Sequence, residues 1–548
     1  MDQRLAALID EILRSIWSAN PTSATSAGIH DYDDRLVDCA PDAIEARLGS
    51  LGSRRQELDR LVGTLPALGP DDGLDVRVLR DALEVDERLL REVRAPFRDP
   101  SYYLDEILYG IYLLIERQFA PLPERARSAA RRARAVPDLL KQARANLSDP
   151  GAVPREWVTA ALQQVEGGRA FLDAARRELA PQAGSAGADL ERALTAAAEA
   201  LSGFGTYLRA RILSEASGRF AVGRDLFNFL LRVQHGIDLD ADALHDFGTA
   251  QVSRCRELIG EAARAVDPRR SWQDLVAGWK EDHPTEQEFL AEYRREVERA
   301  REFVQSRGLA TLPEGEHLRV VETPSFQTTV TPFAAYMAPA PFESAKEGFL
   351  WVTPPPAGAA PEVRARMLQD HLRPSIPATV VHETYPGHHL QLSVACRIPS
   401  RVRRYFGTSV LVEGWAFYCE EMMAEQEYYR DPRSRVMLFK DQLWRACRVV
   451  IDVGLQTRGM TAEAAADMLC EVARLERPSA AAEVLRYTRT PTQPMSYAVG
   501  KQAILNLRED LRSRLGPVFD LGGFHDRFLS FGSIPVGLIR GQMMQAPS

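Results

Sequence analysis

HLRVVETPSFQTTVTPFAAYMAPAPFESAKEGFLWVTPPP (317–356) is the one long stretch of this 548-residue chain that does not read as helix. β-Branched and aromatic residues crowd into it and prolines cut it into pieces. That texture predicts two or three short strands, one near 317–322 and another near 348–353. On either side the pattern is helical. Residues 2–18, 42–62, 73–93, 122–147 and 154–180 set apolar side chains three and four apart among charges, with Pro or Gly in the gaps. The Ala/Leu-rich stretch 185–217 and segments 240–266 and 284–307 continue the pattern, and after Pro356 the chain is helical almost to its end. The fold class expected is mainly α with a small sheet. The length exceeds what one core usually serves, so two parts are expected: a helical N-terminal lobe over 1–310, and a second lobe over 311–548 carrying the strands of about 317–353.

Composition narrows the class further. Hydrophobic residues make up 45% and charged residues 26%, ordinary for a globular protein. The net charge of -8 is spread along the chain, which argues against a nucleic-acid binder. Positive charge is almost all arginine, with lysine only at Lys141, Lys280, Lys346, Lys440 and Lys501, a bias that GC-rich coding accounts for. Six cysteines lie far apart with no CxxC pair, as suits reduced thiols rather than a disulfide framework or thiolate metal site. MDQRLAALIDEILRSIW carries acids inside its apolar stretch and reads as an amphipathic helix, not a signal peptide. Even the apolar run YYLDEILYGIYLLIERQF (102–119) is interrupted by Asp105, Glu106 and Glu116. The expectation is a soluble, cytoplasmic protein with no membrane or nucleic-acid partner; nothing bears on its oligomeric state.

Chemistry gathers in PATVVHETYPGHHLQL (377–392), where His382, Glu383, His388 and His389 fall within eight residues. Neutral imidazole is a preferred zinc ligand, and a neighbouring carboxylate can take a proton from an activated water and deliver it to a leaving amine. The familiar short motif spaces its histidines four apart on one helix face. Here position 386 is proline and the next histidine follows six residues after His382. On an ideal helix six residues turn by roughly 600°, pointing His388 away, whereas seven bring His389 almost back into line. Pro386-Gly387 makes an ideal helix a poor premise, since proline removes a donor and glycine tolerates distortion. Geometry alone leaves both histidines open. A third ligand is expected from LVEGWAFYCEEMMAE (411–425), which offers Glu413, Glu420 and Glu421.

Asp441, Arg445, Arg448 and Asp452 follow at four-, three- and four-residue steps along one helical face. They read either as an internal salt-bridge ladder or, for Arg448, as a receptor for a substrate carboxylate. His30, His235, His245, His283, His317 and His371 stand alone and are assigned no role.

Taken together, HETYPGHHLQ (382–391) followed by EGWAFYCEE (413–421) resembles the bacterial domain-of-unknown-function 885 family, a set of zinc peptidases by prediction, related to the glutamate-zincins. The likeness extends to NPTSATSAGIHDYDDRLVD (20–38), PTQPMSYAVGKQAILNLRE (491–509) and FDLGGFHDRFLSFGSIPVGLI (519–539). The resemblance implies a two-lobed, helical, metallopeptidase-like fold with the small sheet beside an active-site cleft. It implies Zn2+ held by His382, His388 and Glu413, with Glu383 as general base. The position of His389 is also occupied by tyrosine in the family, so His389 is expected to line the site as a donor to substrate. Tyr497 is the candidate for steadying the oxyanion. His525, also at a family position, is expected to be a structural hydrogen-bonder. One block departs: in WRACRVVIDVGLQTRGMT (444–461), Gln456 stands where the family has histidine and cannot shuttle a proton near neutral pH.

The function expected is that of a zinc-dependent hydrolase cleaving short peptides by zinc-activated water, with Arg448 and His389 toward the substrate. A hydrolase of a small-metabolite amide or ester, and a binding protein without turnover, are the rival readings. Glu383 argues against the last, since a mere zinc holder needs no base there.

Overall fold

The computed structural model describes residues 1–323, 334–355 and 358–545. The apolar spacings produce the helices they predict. α1 (Gln3–Ala19) buries Leu5, Leu8, Ile9, Ile12, Leu13, Ile16 and Trp17 along one face, and the Asp2 side chain caps it by accepting from the amides of Arg4 and Leu5. The chain forms two compact units: among the described residues, one is Met1–Val222 with Ala340–Ala345, and the other takes the remainder.

In the first unit, α2 (Pro100–Glu116), α3 (Leu122–Asn146), α4 (Arg155–Leu179) and α5 (Gly187–Tyr207) pack around one core. Leu104, Ile107, Ile111, Val158, Val165, Leu194 and Leu201 fill it, and Ala126, Ala129, Ala130 and Ala133 let α3 lie close to its neighbours. The charge of the fully buried Arg132 is met by the carbonyls of Gly110, Pro21, Tyr32 and Arg35 and by the Thr25 hydroxyl.

The second unit begins earlier in sequence than expected. α6 (Ala241–Val266) packs along the later helix Pro432–Thr457, so residues 223–310 join the unit that carries the histidine motif. The division therefore falls at Val222–Gly223 instead of at 310. The helical pattern of 240–310 says only that these residues form helices; which partner buries their apolar faces is a tertiary matter.

After α7 (Phe289–Ser306) come β1 (His317–Glu322), β2 (Ala334–Met337) and β3 (Glu347–Val352), in the order β1-β3-β2. β1 runs parallel to β3, with His317 opposite Glu347 and Glu322 opposite Val352; β2 runs antiparallel to it, with Ala334 opposite Val352 and Met337 opposite Phe349. The strands expected near 317–322 and 348–353 are thus present, and part of the intervening stretch lies outside the described residues. Seven helices complete the part used below: α8 (Ile376–Glu383), α9 (His388–Ala395), α10 (Ser409–Glu425), α11 (Pro432–Thr457), α12 (Arg477–Arg489), α13 (Ser496–Leu515) and α14 (Leu521–Leu529). No helix of the described residues is long and apolar enough to cross a membrane. All six cysteines are free thiols.

Candidate metal centre

α8 ends at Glu383, immediately after His382. Thr384 leaves the helical region (φ -124°, ψ -94°), the Tyr385–Pro386 peptide is cis, and α9 starts afresh at His388. Gly387 makes the break possible. A Cβ there would run into the carbonyl oxygens of Val381 and His382, so no other residue fits without moving the backbone. The interrupted helix brings His388, and not His389, to His382. His388 returns to the side of His382, their rings meeting edge to face with centroids 4.8 Å apart.

α10 lies across both short helices and brings Glu413 to them. Its Oε2 is 3.7 Å from His382 Nε2 and 3.4 Å from His388 Nε2. Among the described residues, His382, His388 and Glu413 are the group whose ligand atoms all fall within 4.8 Å of one another. Two turns further along α10, Glu420 Oε1 lies 2.7 Å from His382 Nδ1, with both side chains buried. The Nδ1–H donates to that carboxylate, which aims Nε2 toward Glu413 and His388. Burial opposes the charge on His382, but Glu413 and Glu420 outweigh it and raise its pKa to about 10. Burial likewise opposes the charge on Glu413, and the hydrogen bonds of His382 and His388 hold it well below the usual carboxylate range. Without a cation the cluster is thus a protonated imidazole beside an anionic carboxylate.

Two imidazoles and one carboxylate converging on a point, one imidazole backed by a second carboxylate, match the donor set of a zinc site that keeps a position open. Glu383 is half-buried and follows His382 directly in the chain. Tyr497, near the start of α13, stacks on His382 at 6.2 Å between ring centres and 18° between planes. Burial and the charge of Glu413 raise the pKa of its phenol, so it keeps its proton and can donate.

α13 reaches this position because α10 and α13 cross glycine on glycine. A Cβ on Gly414 or Gly500 would overlap the opposite backbone. The turn before α13 is pinned twice. Asp452, fully buried on α11, accepts the amides of Thr492 and Met495, both at 3.3 Å. His235 bridges the hydroxyls of Thr408, at 2.5 Å, and Thr492, at 2.9 Å, tying the start of α10 to the same turn.

Other sequence candidates fall elsewhere. His389 is fully buried with Nδ1 2.9 Å from the Tyr336 hydroxyl and Nε2 2.6 Å from Glu316 Oε2. With both nitrogens engaged it has none to offer a substrate, so the expectation of a substrate donor is corrected: His389 anchors α9 to the sheet region. The ladder reading is corrected too. Arg445 stands 3.7 Å from Asp441, but Arg448 turns to Glu483 on α12, at 3.1 Å, while Asp452 serves the turn just described. Gln456 is fully buried and donates to the Tyr487 carbonyl at 3.2 Å, a structural bond between α11 and α12. His525 on α14 bonds the Leu309 carbonyl and the Tyr418 hydroxyl inside the core, in keeping with a structural role. Among the neighbours of this group, sequence reasoning missed the hydrogen bond that Glu420 makes with His382, although its seven-residue spacing from Glu413 places both on one helix face. Glu316 and Tyr336 carried no signal, because only the packed sheet brings them to His389.

The model of a bacterial family of unknown function, DUF885, matches residues 21–543. Two solved structures are similar over nearly the whole chain. One, from Shewanella oneidensis and described as a candidate lipoprotein of unknown function, is 25% identical with a TM-score of 0.81, covering 99% of this chain and 100% of that one. The other, a candidate lipoprotein from Colwellia psychrerythraea, is 20% identical with a TM-score of 0.84, covering 99% and 98%. No curated protein matches the chain.

Proposed function

The chain belongs to the bacterial family DUF885, whose function is unknown, and from its site we propose that it is a zinc-dependent hydrolase that cleaves amide bonds of short peptides. The observation that carries the reading is the convergence of His382, His388 and Glu413 within 4.8 Å, with Glu383 next to the first of them. His382, His388 and Glu413 would hold the ion through Nε2, Nε2 and a carboxylate oxygen. Bound zinc would polarise the substrate carbonyl and acidify water at the open position.

The remaining work falls to the chain's own groups. Glu383 accepts the proton of the attacking water and passes it to the departing amine, so the C–N bond breaks to give a carboxylic acid and an amine, and transfer of the acid's remaining proton leaves a carboxylate and an ammonium group. Glu420 keeps His382 in the tautomer that presents Nε2. Tyr497 donates its phenolic hydrogen to the oxygen that gains charge as the carbonyl is attacked. Burial of His382, His388 and Glu420 keeps these interactions in a low-dielectric setting, where each is stronger than in water. The test is turnover of a quenched-fluorescent peptide library by zinc-supplemented protein, with and without a chelator. Cleavage that the chelator abolishes and zinc restores is the expected result; a zinc-replete protein that cleaves no member would overturn the proposal.

A further inference from the structure

Three arginines surround Tyr497 on the side of α11 and α12, and they are not fully neutralised. The Arg448 guanidinium lies 4.8 Å and that of Arg445 5.7 Å from the centre of the Tyr497 ring, itself stacked on His382. Arg448 is only 5% exposed, and its Nε has no hydrogen-bond partner; the Nε of Arg445 is likewise buried and unpartnered. Among the described residues, the one carboxylate within hydrogen-bond reach of Arg448 is Glu483, which also serves Arg486 at 2.9 Å and the Tyr487 hydroxyl at 2.6 Å. Among the described residues Arg445 has only Asp441, donating to its carbonyl at 3.5 Å and standing 3.7 Å from its carboxylate. Three guanidinium groups therefore share two carboxylates. Trp444 lies under Arg448 at 4.4 Å and Phe417 under Arg445 at 5.4 Å, so the surplus charge sits against aromatic walls.

An unneutralised guanidinium against such walls is costly unless an anion completes it, and the planar fork of arginine suits a carboxylate. The anion's distance from the reacting centre is set by one aromatic ring, with Tyr497 6.2 Å from His382 and 4.8 Å from Arg448. An extended residue spans about 3.5 Å, so a carboxylate one or two residues beyond the scissile bond reaches Arg448 while the carbonyl faces Glu383.

We propose that Arg448 and Arg445 receive the free C-terminal carboxylate of the substrate, which makes this enzyme an exopeptidase releasing one or two residues from peptide C-termini. The inference rests on the zinc-hydrolase reading and deepens it. A peptide whose C-terminus is an amide leaves the guanidinium unpaired and loses the charge-assisted bonds that hold the leaving side in place. Water adds across the scissile C–N bond as before, and the released fragment carries both the new amine and the original carboxylate.

The test offers zinc-loaded protein the same N-acetylated tri- and tetrapeptides as free acids and as C-terminal amides, with products identified by mass spectrometry. Free acids are expected to be cleaved with kcat/KM at least about tenfold higher, one or two residues from the end. Equal cleavage of acids and amides, or cuts spread along the chain, overturns the carboxylate receptor while leaving the hydrolase reading intact. No cleavage of either overturns both. Binding supplies a readout free of turnover: in the Glu383→Gln background, calorimetry is expected to show Arg448→Met weakening the acid at least about tenfold and leaving the amide unchanged, with Arg448→Lys intermediate. An Arg448→Met protein that binds the acid as tightly as its parent overturns the proposal, and should that variant not fold, the acid–amide comparison on the unmutated chain still decides.

Discussion

Nδ1 of His382 and Oε1 of Glu420 lie 2.7 Å apart, with both side chains buried and two helical turns of α10 separating Glu420 from Glu413. One helix thus supplies both a ligand candidate and the group that aims another. Replacing Glu420 by Gln removes the anionic acceptor while touching none of the three ligand candidates. Zinc affinity is expected to fall about 10- to 100-fold, measured by competition with a chromophoric chelator. An affinity equal to that of the unmutated protein would remove Glu420 from the account.

Ligand and base should separate cleanly. Glu383→Gln is expected to bind zinc normally yet lose hydrolysis by about 10²- to 10⁴-fold, because an amide cannot accept the water's proton. His388→Ala and Glu413→Gln are expected to lose metal before anything else. Elemental analysis beside turnover distinguishes the two patterns, and a metal-free Glu383→Gln protein would contradict the assignment.

His389 makes a sharper case. Its ring is saturated by Tyr336 and Glu316, so His389→Ala should retain zinc at saturating concentration but lower thermal stability, leaving the buried Glu316 carboxylate short of a partner. Stability loss of about 1–3 kcal/mol by denaturant unfolding, with one zinc per chain, is the expected pair of results. A metal-free His389→Ala protein alongside a zinc-replete His388→Ala would reverse the ligand assignment.

Zinc binding should depend on pH with a definite sign. The pKa of His382 is raised to about 10, so the metal-free protein holds that proton throughout the neutral range and zinc must displace it. The logarithm of the zinc affinity is therefore expected to rise by about one per pH unit between roughly pH 6 and 8. A flat profile over that window would show that no proton leaves on binding.

Asp452 gives a stability signature of the opposite kind from an ordinary paired carboxylate. Burial pushes its pKa from 3.8 up to about 8, against the amides of Thr492 and Met495. The folded state then holds a proton that the unfolded chain releases, so this group's contribution to stability falls as pH rises from about 4 to 8. Asp452→Asn does not titrate, so the stability of the unmutated protein relative to the variant should fall across that window, by up to about 1.4 kcal/mol per pH unit. Chemical denaturation at several pH values measures it.

The sequence alone determined what is local. Apolar spacings of three and four specify the helices, the β-branched run marks the sheet, and His382, Glu383, His388 and Glu413 are legible as a candidate set because several imidazoles gathered beside a glutamate offer the donor types of a metal. Tertiary structure decided what depends on a broken periodicity or a distant partner. A regular helix would have favoured His389. Only the break at Thr384–Gly387, with no room for a Cβ at Gly387, turns His388 to His382 and sends His389 to Glu316 and Tyr336. Arg448 had Asp452 one turn away and chose Glu483 on another helix, and residues 223–310 had their helices written plainly but not the partner that would bury them. Spacing along a chain encodes which face a residue occupies; which surface meets that face is set by the packing of segments far apart in sequence, and no local pattern carries that information.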